Sequence, residues 1–479
     1  MELKQKAITA SLWVGASTVF SKIVSFLTTL ILAKLLIPDD FGIVAVASLV
    51  VMSLGLFREM GLNRALIYQE KNITEAASTA FYLIVIVSSM LYVAAYLSAP
   101  LFASFFQDIR VTAVVRVLSV GIVISAFSEV QSALLEKEIL FKKTTISEAA
   151  FFMSYGLSSI SLAYIGFSYW SLVLGQLIAD VVRVSCFWII SDWRPTFVFD
   201  KSIASQLIGY GKHILGMVLV HFGIRNIDDA FVGRMCSKSS LGLYYLAYRI
   251  ANFPATGITN VVGRIMFPVY SKLPKNAFDL RNAFLKTLRL TSALTIPAVF
   301  FIFVYVSDFL NILYQDKWME AVLPIQILCL YGLLRSLGSG MGAIFMATGR
   351  PDIPFKISLV QLLFLACALY PGIKLMGIIG VCAISDVGMF ISVGLNYLKL
   401  RQVIASSLKH ILLNLYAFVL YSLASIGIGK LAGVLLFAKL SIYSFTFEVL
   451  LSILAYMVLV LLFSKDVVET FRNASSKRI

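Results

Sequence analysis

Charged residues are scarce in this chain. Asp, Glu, Lys and Arg make up only 14% of its 479 residues, whereas 59% are hydrophobic and the mean hydropathy is +0.90. Soluble globular domains contain about 25% charged residues, so the composition excludes a water-soluble enzyme. The three histidines and five cysteines form neither a CxxC pair nor a tight ligand cluster. We therefore expect no disulfide, no metal site and no cofactor.

Long polar segments and nucleotide-binding motifs are also missing. The sequence contains no GxxxxGK[ST] loop and no HExxH motif, which excludes the common routes to nucleotide hydrolysis and zinc proteolysis. Apolar stretches long enough to span a bilayer recur about 14 times, and the exported loops between them have at most about 15 residues, too few for a soluble domain. The sequence thus predicts an all-α integral membrane protein of about 14 transmembrane helices.

Basic residues outnumber acidic ones, 40 against 25, giving a net charge of +15. In a polar chain this excess would suggest nucleic acid as a partner, but here the surroundings are lipid. When the N-terminus is placed in the cytoplasm, cytoplasmic segments carry about three times as many basic residues as exported ones, as the positive-inside rule requires. We predict that both termini are cytoplasmic, and we expect no nucleic-acid partner.

The chain matches itself at an offset of 200 residues. The coincident positions share residue type and place between spans: Lys34 with Arg234, Phe41-Gly42-Ile43 with Leu241-Gly242-Leu243, and Arg64 with Arg264. This pattern predicts two pseudo-symmetric six-helix lobes, 1–191 and 205–400, joined by a cytoplasmic linker at 192–204. Residues 401–479 would add two helices and a cytoplasmic tail. Transporters built from such repeats bind substrate between them and rock alternately.

Several basic residues fall inside predicted spans, where a charge is costly. The cavity candidates are a central group of four, Lys22, Arg225, Arg249 and Arg335, together with Arg58. A shared water-filled cavity would accommodate them, and their excess over acids favours an anion such as a phosphate. The alternative is structural pairing, for example of Arg225 with Asp228 or Asp229.

Four intramembrane acids are candidates for coupling transport to an ion, H⁺ or Na⁺: Asp228, Asp229, Asp180 and Asp386. Adjacent buried carboxylates hold their charge reluctantly, so the first two could bind and release a cation. They could equally neutralise Arg225 and Arg249, and Asp180 could pair with Arg183 in the next helical turn.

Helix-breaking residues collect in the second predicted lobe. Pro254 would kink the eighth span, and the tenth contains Gly338, Gly340 and Gly342. We consider these four residues a possible hinge, with close helix packing as the alternative interpretation of the glycines.

An ordered set of short motifs runs through most of the chain. The segments are Ala33–Gly42, Leu134–Lys143, Tyr169–Val173, Trp193-Arg194-Pro195, Phe267-Pro268, Lys317-Trp318 and Ala347–Pro351. In order and spacing they resemble the Wzx-type polysaccharide and O-antigen flippases, especially the colanic acid and teichuronic acid exporter branch. This branch belongs to the multidrug/oligosaccharidyl-lipid/polysaccharide (MOP) exporter superfamily.

The resemblance implies the two-lobed MOP flippase fold, with basic cavity residues on helices that here carry Lys22, Arg58 and Arg249. The implied substrate is an undecaprenyl-diphosphate-linked oligosaccharide, moved across the bacterial inner membrane by alternating access for capsule, exopolysaccharide or O-antigen synthesis. Expected partners are this lipid-linked glycan, the phospholipid bilayer, and a polysaccharide polymerase with its assembly machinery, while the transport unit is expected to be monomeric. A multidrug or cation antiporter of the same superfamily is the main alternative, followed by a membrane glycosyl polymerase or ligase.

Overall fold

A computed structural model describes residues 2–59, 66, 72–138, 140–272, 277–404, 407–437 and 441–464. Throughout these ranges the regular structure is helical, and no strand occurs among them. The first helices are α1 (Glu2–Leu35), α2 (Pro38–Glu59), α3 (Ile73–Phe106), α4 (Arg110–Leu118), α5 (Val120–Lys137), α6 (Phe141–Ile165), α7 (Trp170–Ile190) and α8 (Lys201–Met235). The chain continues through α9 (Lys238–Lys272), α10 (Ala277–Tyr314), a 3₁₀ helix (Gln315–Ala321), α11 (Val322–Ala347), α12 (Asp352–Ile404), α13 (Leu408–Leu436) and α14 (Ile442–Phe463).

These helices follow the apolar segments of the sequence. Among the described residues, eight helical stretches have the length and composition of membrane spans, and two of them are long enough to contain more than one crossing, Ala277–Ala347 and Asp352–Ile404. The all-α, multi-pass architecture is confirmed, and the helix order is consistent with the expected spans. The fourth expected span is divided into α4 and α5.

Helix α12 folds back on itself. Its 53 residues would reach about 80 Å as one straight helix, far more than the roughly 30 Å of bilayer hydrocarbon. The helical dihedral angles are interrupted at Gly377, where φ is 57° and ψ is −136°, a conformation that glycine adopts without a Cβ penalty. The two halves then approach closely, since a Cβ on Gly380 would lie 2.2 Å from the carbonyl oxygen of Gly372. Residues 352–404 therefore form a helical hairpin of two spans.

The chain divides into two compact units, Met1–Tyr245 and Leu246–Ile479, with the boundary inside α9. The predicted lobes end instead at a linker, 192–204, and their bounds stay a prediction. Helix α8 belongs to the first unit because it packs on α2 and α3. In that unit α6 also packs on α7 and α1, and α5 packs on α3 and α7.

Each unit has its own apolar core. In the first, Phe81, Ile84 and Val130 are buried between α3 and α5, with Trp188 and Trp193 packed against them. In the second, the largest core cluster joins α9 to α13 and includes Phe284 and Phe345. Outward-facing apolar side chains are common as well, as on α14, where Leu450, Leu454, Met457, Val458, Leu461 and Leu462 are all more than half exposed. Such an exterior suits contact with lipid rather than water.

Candidate functional site

A network of charged side chains lies inside the first unit, and its first part is an ion pair between α2 and α5. Arg58, in the last turn of α2, places Nη2 2.7 Å from Oε1 of Glu129. Its other terminal nitrogen donates a hydrogen bond to the hydroxyl of Ser125. Both charged side chains are about 15% exposed. The sequence predicted Arg58 as a cavity residue but did not assign Glu129 as its partner, since the two are separated by 71 positions.

The second part of the network is centred on Arg183 in α7. Its Nη2 lies 3.0 Å from Oδ1 of Asp180, and Nη1 lies 3.9 Å from Oε1 of Glu148 in α6. Gln176 donates to the other oxygen of Asp180 at 3.4 Å. Room for that carboxylate comes from Gly121 of α5, where a Cβ would lie 3.1 Å from Oδ2. The expected Asp180–Arg183 pairing is thus present.

The two parts act on each other electrostatically. Arg58 lies within Coulombic range of Asp180, and Glu129 within range of Glu148. Three carboxylates therefore face two guanidinium groups across four helices. Each guanidinium is thus within electrostatic range of two carboxylates, Arg58 of Glu129 and Asp180, and Arg183 of Asp180 and Glu148.

The predicted basic cavity residues fall in both units. In the first unit, Lys22 of α1 and Arg225 of α8 have exposed side chains, and Arg225 forms no ion pair with any described residue. In the second unit, Arg249 of α9 and Arg335 of α11 are half-buried. The shared cavity stays a prediction.

The adjacent acids of α8 have a partner that the sequence did not reveal. Asp228 is buried and accepts a hydrogen bond from the hydroxyl of Tyr244 in α9. It also accepts one from the backbone N–H of Asp229 at 3.0 Å. The alternative in which Asp228 neutralises Arg225 is not formed. The sequence could not identify Tyr244 as the partner of Asp228, because the pairing depends on the packing of α8 against α9.

Asp386 is the predicted coupling residue of the second unit. It lies in the second half of α12, is only 7% exposed, and its Oδ1 has no hydrogen-bond partner within the described part of the chain. The thiol of Cys329 and the backbone of Tyr331, both in α11, are its neighbours. The described residues contain no group of three or more His, Cys, Asp and Glu placed to hold a metal ion.

The residues predicted as a hinge lie in uninterrupted helices. Helix α9 continues through Pro254, and α11 continues from Val322 to Ala347 through all three glycines. A Cβ on Gly338 would lie 3.1 Å from Cγ2 of Val393 in α12, whereas one on Gly342 would meet nothing within 4 Å. Close packing accounts for Gly338, and the hinge stays a prediction.

A second ionic cluster joins the last two helices to α10. Lys430 of α13 places Nζ 2.6 Å from Oδ2 of Asp308 and 2.9 Å from Oε2 of Glu448. Its ammonium also lies 4.6 Å from the ring centroid of Tyr305. The sequence gave no sign of this triad, which needs three helices to be packed together.

Two of the motif segments meet in the first unit. Asp40, in the first turn of α2, accepts hydrogen bonds from the backbone N–H groups of Ile37 at 3.0 Å and Tyr169 at 3.1 Å, and from the hydroxyl of Ser168. The segment around Pro38-Asp39-Asp40 is therefore fastened to the turn between α6 and α7.

Comparison with known sequences identifies relatives of this chain. Residues 31–323 match the model of a family described as polysaccharide biosynthesis protein. The lipopolysaccharide biosynthesis protein WzxC of Escherichia coli (strain K12) is 23% identical over 448 residues, which cover 92% of this chain and 90% of WzxC. The teichuronic acid biosynthesis protein TuaB of Bacillus subtilis (strain 168) is 28% identical over 366 residues, covering 75% of this chain and 74% of TuaB.

Comparison with solved structures identifies the fold. A lipid II flippase, MurJ, in an inward closed conformation superposes with a TM-score of 0.78 at 16% identity, covering 95% of this chain and 99% of MurJ. An inward-facing multidrug resistance MATE family transporter of the MOP superfamily gives a TM-score of 0.57 at 18% identity, with 83% and 94% coverage. The MOP fold and the family resemblance expected from the sequence motifs are confirmed.

Proposed function

The chain belongs to the polysaccharide biosynthesis protein family, and on that premise we propose that it flips undecaprenyl-diphosphate-linked oligosaccharide repeat units across the bacterial inner membrane. One observation carries the proposal: this chain, which belongs to that family, has the fold of a lipid II flippase over nearly its full length. Relatives named for lipopolysaccharide and teichuronic acid biosynthesis support a glycan as cargo.

The physical problem that such a protein solves is the transfer of a charged headgroup. A diphosphate-linked oligosaccharide cannot cross about 30 Å of hydrocarbon unaided. Basic side chains on spans, among them Lys22, Arg225 and Arg249, would screen the diphosphate while the polyprenyl chain stays in lipid. Binding has to be moderate, because a site that held the diphosphate too tightly would not release it. Alternating access then moves the headgroup from the cytoplasmic to the outer leaflet.

An ion gradient or the membrane potential would drive the cycle. Asp180, in the charged network of the first unit, is one coupling candidate for H⁺ or Na⁺. Asp228, Asp229 and Asp386 are the further coupling candidates, and Asp386 carries a buried carboxylate oxygen without a hydrogen-bond partner among the described residues.

The proposed orientation in the membrane rests on the distribution of basic residues between the spans. Both termini would lie in the cytoplasm, with the basic segments between spans on the same side. A polymerase and its assembly machinery would take over the delivered units, and the transport unit would be a single chain.

Reconstitution tests the proposal directly. Proteoliposomes containing the purified protein and a fluorescent undecaprenyl-diphosphate-linked oligosaccharide are given an ion gradient, and an impermeant glycosidase reports how much glycan reaches the outer leaflet. We expect gradient-dependent transfer by the wild-type chain and severalfold slower transfer by Lys22→Ala and Arg249→Ala. Lys356→Ala is the matched control, because that lysine is 74% exposed at the start of α12. No transfer above protein-free vesicles would contradict the proposal.

A further inference from the structure

The starts of α2 and α9 contact each other through a reciprocal pair of glycines. A Cβ on Gly42 would lie 1.8 Å from the carbonyl oxygen of Lys238, and a Cβ on Gly242 would lie 1.8 Å from that of Pro38. Neither position can carry a side chain while this contact is made. All four residues lie in the first compact unit.

The two contacts are related by the sequence repeat. Adding 200 to positions 38 and 42 gives 238 and 242, so Lys238 is the equivalent of Pro38 and Gly242 the equivalent of Gly42. Gly42 contacts Lys238, and in the same way Gly242 contacts Pro38. Reciprocal contacts of this kind arise where two equivalent segments meet across a twofold axis, as in an isologous interface. The junction therefore lies on the local axis that relates the repeated segments.

Lys238 fastens two further helix ends to this junction. Its buried ammonium donates to the carbonyl oxygen of Phe106 at 2.6 Å, at the end of α3, and to that of Gly233 at 2.8 Å, near the end of α8. Gly233 in turn leaves space for Val46 of α2, whose Cγ2 would be 3.1 Å from a Cβ at that position. Four helix ends thus meet at one point.

We propose that this junction is a closure on the exported side of the transport pathway, and that Lys238 is the residue that positions it. The inference rests on the proposed function and on cytoplasmic termini. A pathway between two repeats runs along the axis that relates them, so a contact lying on that axis blocks it. At the two glycines the contact is made between backbones, so a methyl group added at either position forces the surfaces apart.

The native thiol of Cys236 reports on the closure. It is half-buried at the end of α8, two positions before Lys238. Intact cells are treated with a membrane-impermeant maleimide, and modification of Cys236 is followed by peptide mass spectrometry. Gly42→Ala and Gly242→Ala add a methyl group where a carbonyl oxygen lies, so both variants are expected to be labelled severalfold faster than wild type and to lose export.

Matched controls separate the contact from the general effect of alanine on a helix. Gly55 lies in α2 and Gly257 in α9, and a Cβ on either would meet nothing within 4 Å. Gly55→Ala and Gly257→Ala should therefore label and export as wild type does. If Gly42→Ala and Gly242→Ala do not accumulate, Lys238→Met tests the same junction without adding bulk at the glycines, and faster labelling is again expected.

Failure of the closure and failure of the proposed function give different results. If the glycine variants, or Lys238→Met in their place, are labelled at the wild-type rate, the proposed closure is wrong. The junction would then be a permanent contact that does not open during transport. A second combination of results would keep the closure and reject the proposed cargo. In it the variants are labelled faster than wild type, but cells that lack the gene still deliver lipid-linked oligosaccharides to the outer leaflet.

Discussion

Arg58 and Glu129 show how individual charges are accommodated in the first unit. Each is mostly buried, and each neutralises the other across the interface between α2 and α5. Removing one partner of a buried ion pair leaves an uncompensated charge and costs about 3–5 kcal/mol. The pair therefore holds α2 against α5. The carboxylate of Glu129 also balances part of the positive charge of Arg58 in the absence of any bound anion.

We expect Glu129→Gln to lower the unfolding free energy by about 3 kcal/mol, because it removes the carboxylate that is ion-paired with the guanidinium of Arg58. Thermal unfolding of the purified protein in detergent measures the change. Glu138→Gln, at an exposed acid just after α5, is the control and should unfold as wild type does. A melting temperature for Glu129→Gln equal to that of Glu138→Gln would show that the pair contributes little.

Asp108 provides a pH-dependent contribution outside the spans. Burial by itself would raise the pKa of this carboxyl, but two hydrogen bonds and the charge of Arg110 outweigh burial and hold the pKa below its ordinary value. A lowered pKa in the folded state means that the stabilisation is present above the unfolded-state pKa, near 3.9, and is lost as the pH falls through the folded-state pKa.

The stability gap between wild type and Asp108→Asn should therefore be widest at neutral pH and shrink as the pH is lowered toward 3. Melting temperatures of both proteins across this range provide the measurement. Asp192→Asn, at an exposed aspartate of the linker, controls for the general effect of acid. A gap that stayed constant or grew at low pH would contradict the assignment.

The ion pair between Arg58 and Glu129 could not be predicted from the sequence. The position of Arg58 inside an apolar stretch was visible, and so was the acid at 129, but a separation of 71 residues carries no pairing signal. The same holds for Asp228 with Tyr244, and for Lys430 with its two acids. Asp180 with Arg183 was predictable because the two are one helical turn apart.

Helices themselves were largely predictable, because a bilayer requires about 20 apolar residues per crossing. The division of α12 into two spans followed from its length. The sequence could not show that its two halves pack with backbones almost in contact, with Gly372 and Gly380 leaving the space. Likewise, the break between α4 and α5 falls within a single apolar stretch and has no sequence signal of its own.

Gly380→Ala tests the packing of the α12 hairpin. The added Cβ would lie 2.2 Å from the carbonyl oxygen of Gly372, so the halves have to separate, and overpacking of this kind costs about 1–3 kcal/mol. Gly394→Ala, in the same helix and with nothing within 4 Å of the new Cβ, should be neutral or slightly stabilising. Equal melting temperatures of the two variants would show that the hairpin tolerates the wider spacing.

For the whole molecule, the offset of 200 residues was the most informative feature of the sequence. It predicted a duplicated architecture, and the bounds of the two lobes stay a prediction. Gly42 and Gly242 were recognised as repeat mates from sequence alone. Their mutual contacts with Lys238 and Pro38 required the structure, because a repeat identifies equivalent positions but not which of them meet.

The sidedness of lipid-linked oligosaccharide in cells that lack this gene tests the flippase assignment. We expect complete repeat units to accumulate on the cytoplasmic leaflet, surface polymer to be lost, and the wild-type gene to restore both. Complete units that still reach the outer leaflet and remain unpolymerised there would contradict the flippase assignment and indicate a role in polymerisation instead.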